Sequence, residues 1–129
     1  MDHVKKWIIP VAAVEAALTG FILIVSPPFF AWLVLGTELS DADRALGRLG
    51  GIALVGAGLA AWSAPAADYR VSSARALFIY NLLATIYLGY LGLYGHLVGI
   101  LLWPAVALHA IFSALVAPLY LHQTRIEVG

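Results

Sequence analysis

Gly47-Arg48-Leu49-Gly50-Gly51-Ile52-Ala53-Leu54-Val55-Gly56-Ala57-Gly58-Leu59-Ala60-Ala61-Trp62 is apolar over almost its whole length yet carries little side-chain volume. Read as a helix, it puts Gly50, Ala53, Ala57, Ala60 and Ala64 at steps of three and four, so one face is nearly bare. Gly47 and Gly51 form a GxxxG pair, and Gly58 adds another position without a side chain. In lipid no hydrophobic drive brings helices together, and such a helix gains by letting a neighbouring backbone approach and make dispersion contacts. The stretch therefore predicts the hub of a membrane helix bundle. Its packing residues are Gly47, Gly50, Gly51, Ala53, Ala57 and Gly58.

Composition agrees with that class. Of 129 residues 63% are hydrophobic and 11% charged, and mean hydropathy is +0.95, whereas soluble domains carry roughly 25% charged residues. Formal net charge is zero, which argues against nucleic acid, because phosphate binding needs clustered Lys and Arg. No cysteine is present, so thiol chemistry, disulfides and Cys-ligated metals are excluded.

Four spans of bilayer length are expected, at about 7–25, 41–64, 75–94 and 97–121. Glu15 interrupts the apolar run that a signal peptide would need, and Ser26-Pro27-Pro28 makes a poor cleavage site, so the first span is expected to be retained. Those prolines stop it. Residues 29–36 are too short to cross and rich in aromatics, which predicts a short interfacial helix closed by Gly36. Ser40 followed by Asp43 resembles a capping box opening the second span. Pro65 ends that span, and Gly95-His96 leaves a tight turn between the third and fourth.

The fold expected is thus an all-α, single-domain integral membrane four-helix bundle. Lys5, Lys6, Arg70, Arg75 and Arg125 fall on one side of it, and Arg44 and Arg48 on the other beside Glu38, Asp41 and Asp43. The bias of Lys and Arg predicts both termini in the cytoplasm and a multi-pass protein of the cell inner membrane.

Polar side chains inside these spans are the most informative feature, since each costs several kcal/mol unless paired or facing a wet cavity. Glu15, Asn81 and His109 are each followed one turn later by a hydroxyl, Thr19, Thr85 and Ser113. At 1.5 Å per residue all six lie about 9 to 18 Å from the cytoplasmic ends. That coincidence predicts one polar cluster inside the bundle. It fixes helix register, relays protons, or holds the polar group of a lipophilic ligand. One carboxylate and one imidazole fall short of a metal-ligand set. Arg48 either snorkels to head groups or turns inward to receive a ligand. Tyr87, in a stripe with Tyr80, Tyr90 and Tyr94, either belongs to an interfacial belt or packed face or lines a cavity.

No GxGxxG, P-loop, HExxH, GxSxG or CxxC pattern occurs, so nucleotide binding, zinc hydrolysis and acyl transfer have no support. The glycine-rich second span preceded by an arginine, the Ser26-Pro27 stop and the four-span plan resemble small bacterial membrane proteins of the DoxX-like kind. That resemblance implies an accessory inner-membrane subunit, with a quinone as a candidate ligand. A comparison of Arg75 and Asn81 with the four-span glutathione-transferase-like membrane enzymes fails, because no acidic residue follows in the third span.

The sequence names no catalytic residue or cofactor. The expected role is an accessory or scaffold subunit, forming a homo-oligomer or joining other membrane proteins through its small-residue face. Two alternatives stand beside it. One is a binder or carrier of a lipophilic small molecule, which a cavity reaching the Glu15 and His109 level would favour. The other is an intramembrane enzyme using Glu15 and His109 as acid and base.

Overall fold

The computed structural model describes the backbone of residues 2–62 and 67–127 and the side chains of 7–62 and 74–118. These residues form five helices and no strand: α1 (Asp2–Val25), α2 (Pro27–Val34), α3 (Asp41–Trp62), α4 (Ala67–Leu93) and α5 (Leu102–Glu127). Within them Trp7–Val25, Asp41–Trp62 and Ala74–Leu93 are long and apolar enough to cross a membrane, and the apolar part of α5 described is Leu102–Pro118. Ala64 and Pro65 lie outside the described residues.

Local chemistry sets the ends of the helices. At the start of α3, Ser40 N–H and Oγ–H both donate to Asp43 Oδ2, at 3.1 and 2.6 Å, and Asp43 N–H donates to Ser40 Oγ at 3.2 Å. This is a reciprocal capping box with Asp in place of the usual Glu. Pro28 has no N–H to give the carbonyl of Ile24 four residues earlier. Arg48 supplies the missing donor, its Nε lying 3.3 Å from Ile24 O. Gly36, after α2, has a φ of +66°, a left-handed conformation that glycine adopts without strain.

The fourth long helix begins later than the spacing predicts, at Leu102 rather than residue 97. The N–H groups of Gly99 and Leu101 instead donate to Val34 O and Leu33 O, at 3.0 and 2.8 Å. They satisfy carbonyls left free at the end of α2. His96 turns the chain there with a φ of 54°. The third long helix also begins earlier than predicted, because residues 67–73 continue it instead of forming a connection.

Two antiparallel pairs make up the molecule: α1 packs mainly on α3, and α4 on α5. One buried cluster, Ala12, Ala13, Ala61, Leu77 and Phe112, draws on all four long helices, and Ile8, Ala74 and Val116 continue it. This core occupies the end of the molecule nearer the chain termini.

Of the six small residues expected to pack, Gly47, Gly51 and Gly58 make close contacts, and the row of Gly50, Ala53 and Ala57 does not. A Cβ on Gly51 would stand 2.5 Å from Gly20 O, and one on Gly58 would stand 2.6 Å from Ala13 O, while Gly47 faces Pro27. Gly50, Ala53, Ala57 and Ala60 are exposed, and a Cβ on Gly50 would meet nothing within 4 Å. The contact face is rotated by one residue, about 100°. The physical reason is that approach this close excludes even a methyl group, so the glycine row wins over the alanine row.

Candidate functional site: a polar-floored cavity

Above the core, α1, α2, α4 and α5 line a partly open cavity of about 440 Å³. Its apolar wall includes Ile22 from α1, Phe30 and Leu33 from α2, Leu88 from α4, and Leu108 from α5. Glu15, Thr19 and His109 form its polar part. On α1 the core residues precede Glu15 and the apolar wall follows it, and on α5 the order is reversed around His109. The polar groups therefore form a floor between the packed core and an apolar upper wall.

Each floor group is oriented by a neighbour. Thr19 Oγ1 donates to Glu15 Oε1 at 3.0 Å, one turn away on α1. Glu15 Oε2 is buried and has no hydrogen-bond partner among the described residues. Asn81, fully buried, donates from Nδ2 to Leu77 O at 2.8 Å, and its Oδ1 lies 2.8 Å from His109 Nδ1. Tyr80 packs edge-on to the His109 ring, with centroids 5.6 Å apart. The Asn81–His109 contact ties α4 to α5, and the Glu15–Thr19 pair faces the same cavity from α1.

Among the six polar residues expected to cluster, Glu15, Thr19 and His109 line the cavity, and Asn81 reaches it only through His109. Thr85 donates to Asn81 O at 2.8 Å, within its own helix. Ser113 is buried with an unpartnered Oγ and is not on the cavity wall. Arg48 is exposed and engaged with Ile24 O, so it does not turn inward to a ligand. Tyr87 is 62% exposed and off the cavity, because its place on α4 faces outward; Tyr94 is exposed too, stacked at a tilt with Tyr90.

Sequence reasoning missed the α2 and α5 side chains that wall the cavity, since only the path of residues 94–101 brings those elements together. It also missed Gly20. A signal for Gly20 existed, because Ala13, Ala17 and Gly20 form a small-residue row on α1.

Comparison with protein-family models, with curated proteins and with solved structures finds no match. The function is therefore argued from the site. No group of three or more His, Asp or Glu placed to hold a metal occurs among the described residues. The floor offers one carboxyl group and one imidazole nitrogen beneath an apolar chamber.

Proposed function

We propose that this chain is a multi-pass membrane protein whose four long helices form an intramembrane bundle that binds a small lipophilic molecule. One observation carries the reading: a cavity of about 440 Å³, within the range of small-molecule sites, is lined at its polar end by Glu15, whose Oε2 is buried without a partner among the described residues. A buried polar atom without a partner is costly, and a ligand group placed against it removes the cost. The Lys and Arg distribution supports cytoplasmic termini in a bacterial-type inner membrane. In that orientation the apolar part of the cavity lies on the outer-leaflet side, α2 lies at the interface, and its exposed Phe29 and Trp32 meet the head groups. The DoxX-like resemblance adds a quinone to the candidate ligands.

Native mass spectrometry of the protein extracted with its own lipids tests this reading. A bound small molecule is expected in the wild type and is lost in Ala105→Trp, which fills the cavity. Equal occupancy in both would overturn the proposal. Exposure of Gly50, Ala53 and Ala57 favours a second role for α3, self-association or docking to another membrane subunit. Crosslinking through Ala53→Cys that yields no dimer and captures no partner would remove it.

A further inference from the structure

We infer that the cavity selects a compact neutral molecule carrying a hydroxyl group, which donates to one of the pair Glu15 Oε2 and His109 Nε2 and accepts from the other. This deepens the proposed ligand-binding function and rests on it.

The tautomer of His109 is fixed by its neighbour. Leu77 O can only accept, so the atom of Asn81 lying 2.8 Å from it is the amide nitrogen. The atom 2.8 Å from His109 Nδ1 is then the amide oxygen, which carries no hydrogen. Nδ1–H must therefore donate, which leaves Nε2 as the free ring nitrogen. Among the described residues Nε2 makes no hydrogen bond, and His109 lies on the cavity wall.

Glu15 presents the same situation from the opposite helix pair. Thr19 holds Oε1, and Oε2 is buried without a partner. Among the described residues Glu15 and His109 are the only ionisable groups on the cavity wall, and the rest of that wall apart from Thr19 is apolar. Such surroundings disfavour net charge, so the pair is neutral as a unit, either carboxyl with imidazole or carboxylate with imidazolium. Both arrangements place one proton on one of the two atoms, Oε2 or Nε2, and none on the other. The floor therefore offers one donor and one acceptor.

A hydroxyl answers both, because it donates once and accepts as well. An ether or ketone only accepts and leaves one floor atom unpaired. Sites built to bond a hydroxyl discriminate strongly against analogues lacking it for that reason. The sense of polarity narrows the class further. The polar pair lies next to the packed core and the apolar walls lie toward α2, whereas a phospholipid keeps its head at the interface. The occupant therefore holds its polar group on the core side, as a phenol or compact alcohol does.

The test uses the full chain in lipid nanodiscs, titrated with 2-naphthol and with its methyl ether, 2-methoxynaphthalene, after subtracting partition into empty nanodiscs. Saturable binding of 2-naphthol at least tenfold tighter than that of the ether is expected, and Glu15→Leu and His109→Phe should abolish the difference. Equal saturable binding of both probes would overturn the hydroxyl inference and leave ligand binding standing. Saturable binding of neither probe would overturn both. The comparison on the unaltered protein does not depend on the variants folding. Nitrogen-15 NMR of the His109 ring provides an independent check: a neutral ring protonated at Nε2 would overturn the assignment of the acceptor.

Discussion

Asn81 and Gly51 show how single residues hold this molecule together. Asn81 is fully buried in α4 and joins α5 through one hydrogen bond to His109. Interhelical bonds of this kind contribute about 0.6 to 2 kcal/mol. A double-mutant cycle with Asn81→Leu and His109→Leu, read by thermal unfolding in detergent, is expected to give a coupling energy in that range. Additive effects would mean that the two side chains are merely adjacent. Gly51 acts through absence: a leucine there would drive its Cβ against Gly20 O and the Leu23 side chain. Gly51→Leu is expected to lose at least about 3 kcal/mol of stability by overpacking and to disrupt assembly far more than Glu15→Gln. Gly50→Ala should be neutral or stabilise by roughly 0.5 to 1 kcal/mol, because its Cβ would meet open space and alanine favours the helix. Equal losses at positions 50 and 51 would contradict the observed face of α3.

Helix ends and linkers decide how the pairs are joined. The Ser40–Asp43 capping box starts α3, and Ser40→Ala is expected to cost about 1 kcal/mol, seen as earlier hydrogen exchange in the first turn of that helix. Unchanged protection there would show that the cap contributes nothing. Residues 94–101 have a larger task. Their N–H groups close the end of α2, and Gly99 fits so tightly against Leu33 that a side chain has no room. Gly99→Val is expected to detach α2 from α5, lower the unfolding temperature and reduce cavity occupancy together. Retained occupancy would show that α2 does not need this clamp to cover the cavity.

At the scale of the whole molecule, the packed core and the cavity divide the helices lengthwise. Gly36 lies against Val98, so the linkers after α2 and after α4 share the end away from the core. The proposed topology puts that end outside the cell. Because the chain has no cysteine, single-cysteine labelling needs no altered background. Glu38→Cys and His96→Cys are expected to react with an impermeant maleimide in intact cells, and Asp68→Cys only after lysis. The opposite pattern would invert the orientation and move the cavity to the inner-leaflet side.

The sequence by itself determined the all-helical class, the apolar segments, a short helix near the paired prolines, expected over 29–36 and found at Pro27–Val34 with the prolines in its first turn, the cap at Ser40, and which helices carry buried polar groups. These follow from local chemistry: apolar run length, missing N–H groups, and hydroxyl and carboxyl side chains beside free backbone donors. The tertiary structure alone decided which of the predicted packing residues are used, Gly51 and Gly58 against α1 and Gly47 against Pro27 of α2, and that His109 pairs with Asn81 while Glu15 keeps a free oxygen. It also decided that Tyr87 and Arg48 lie off the cavity. Rotation about a helix axis is nearly invisible when small residues surround it on several sides, as in α3. It becomes fixed only when a neighbouring backbone comes too close for any side chain to stand between.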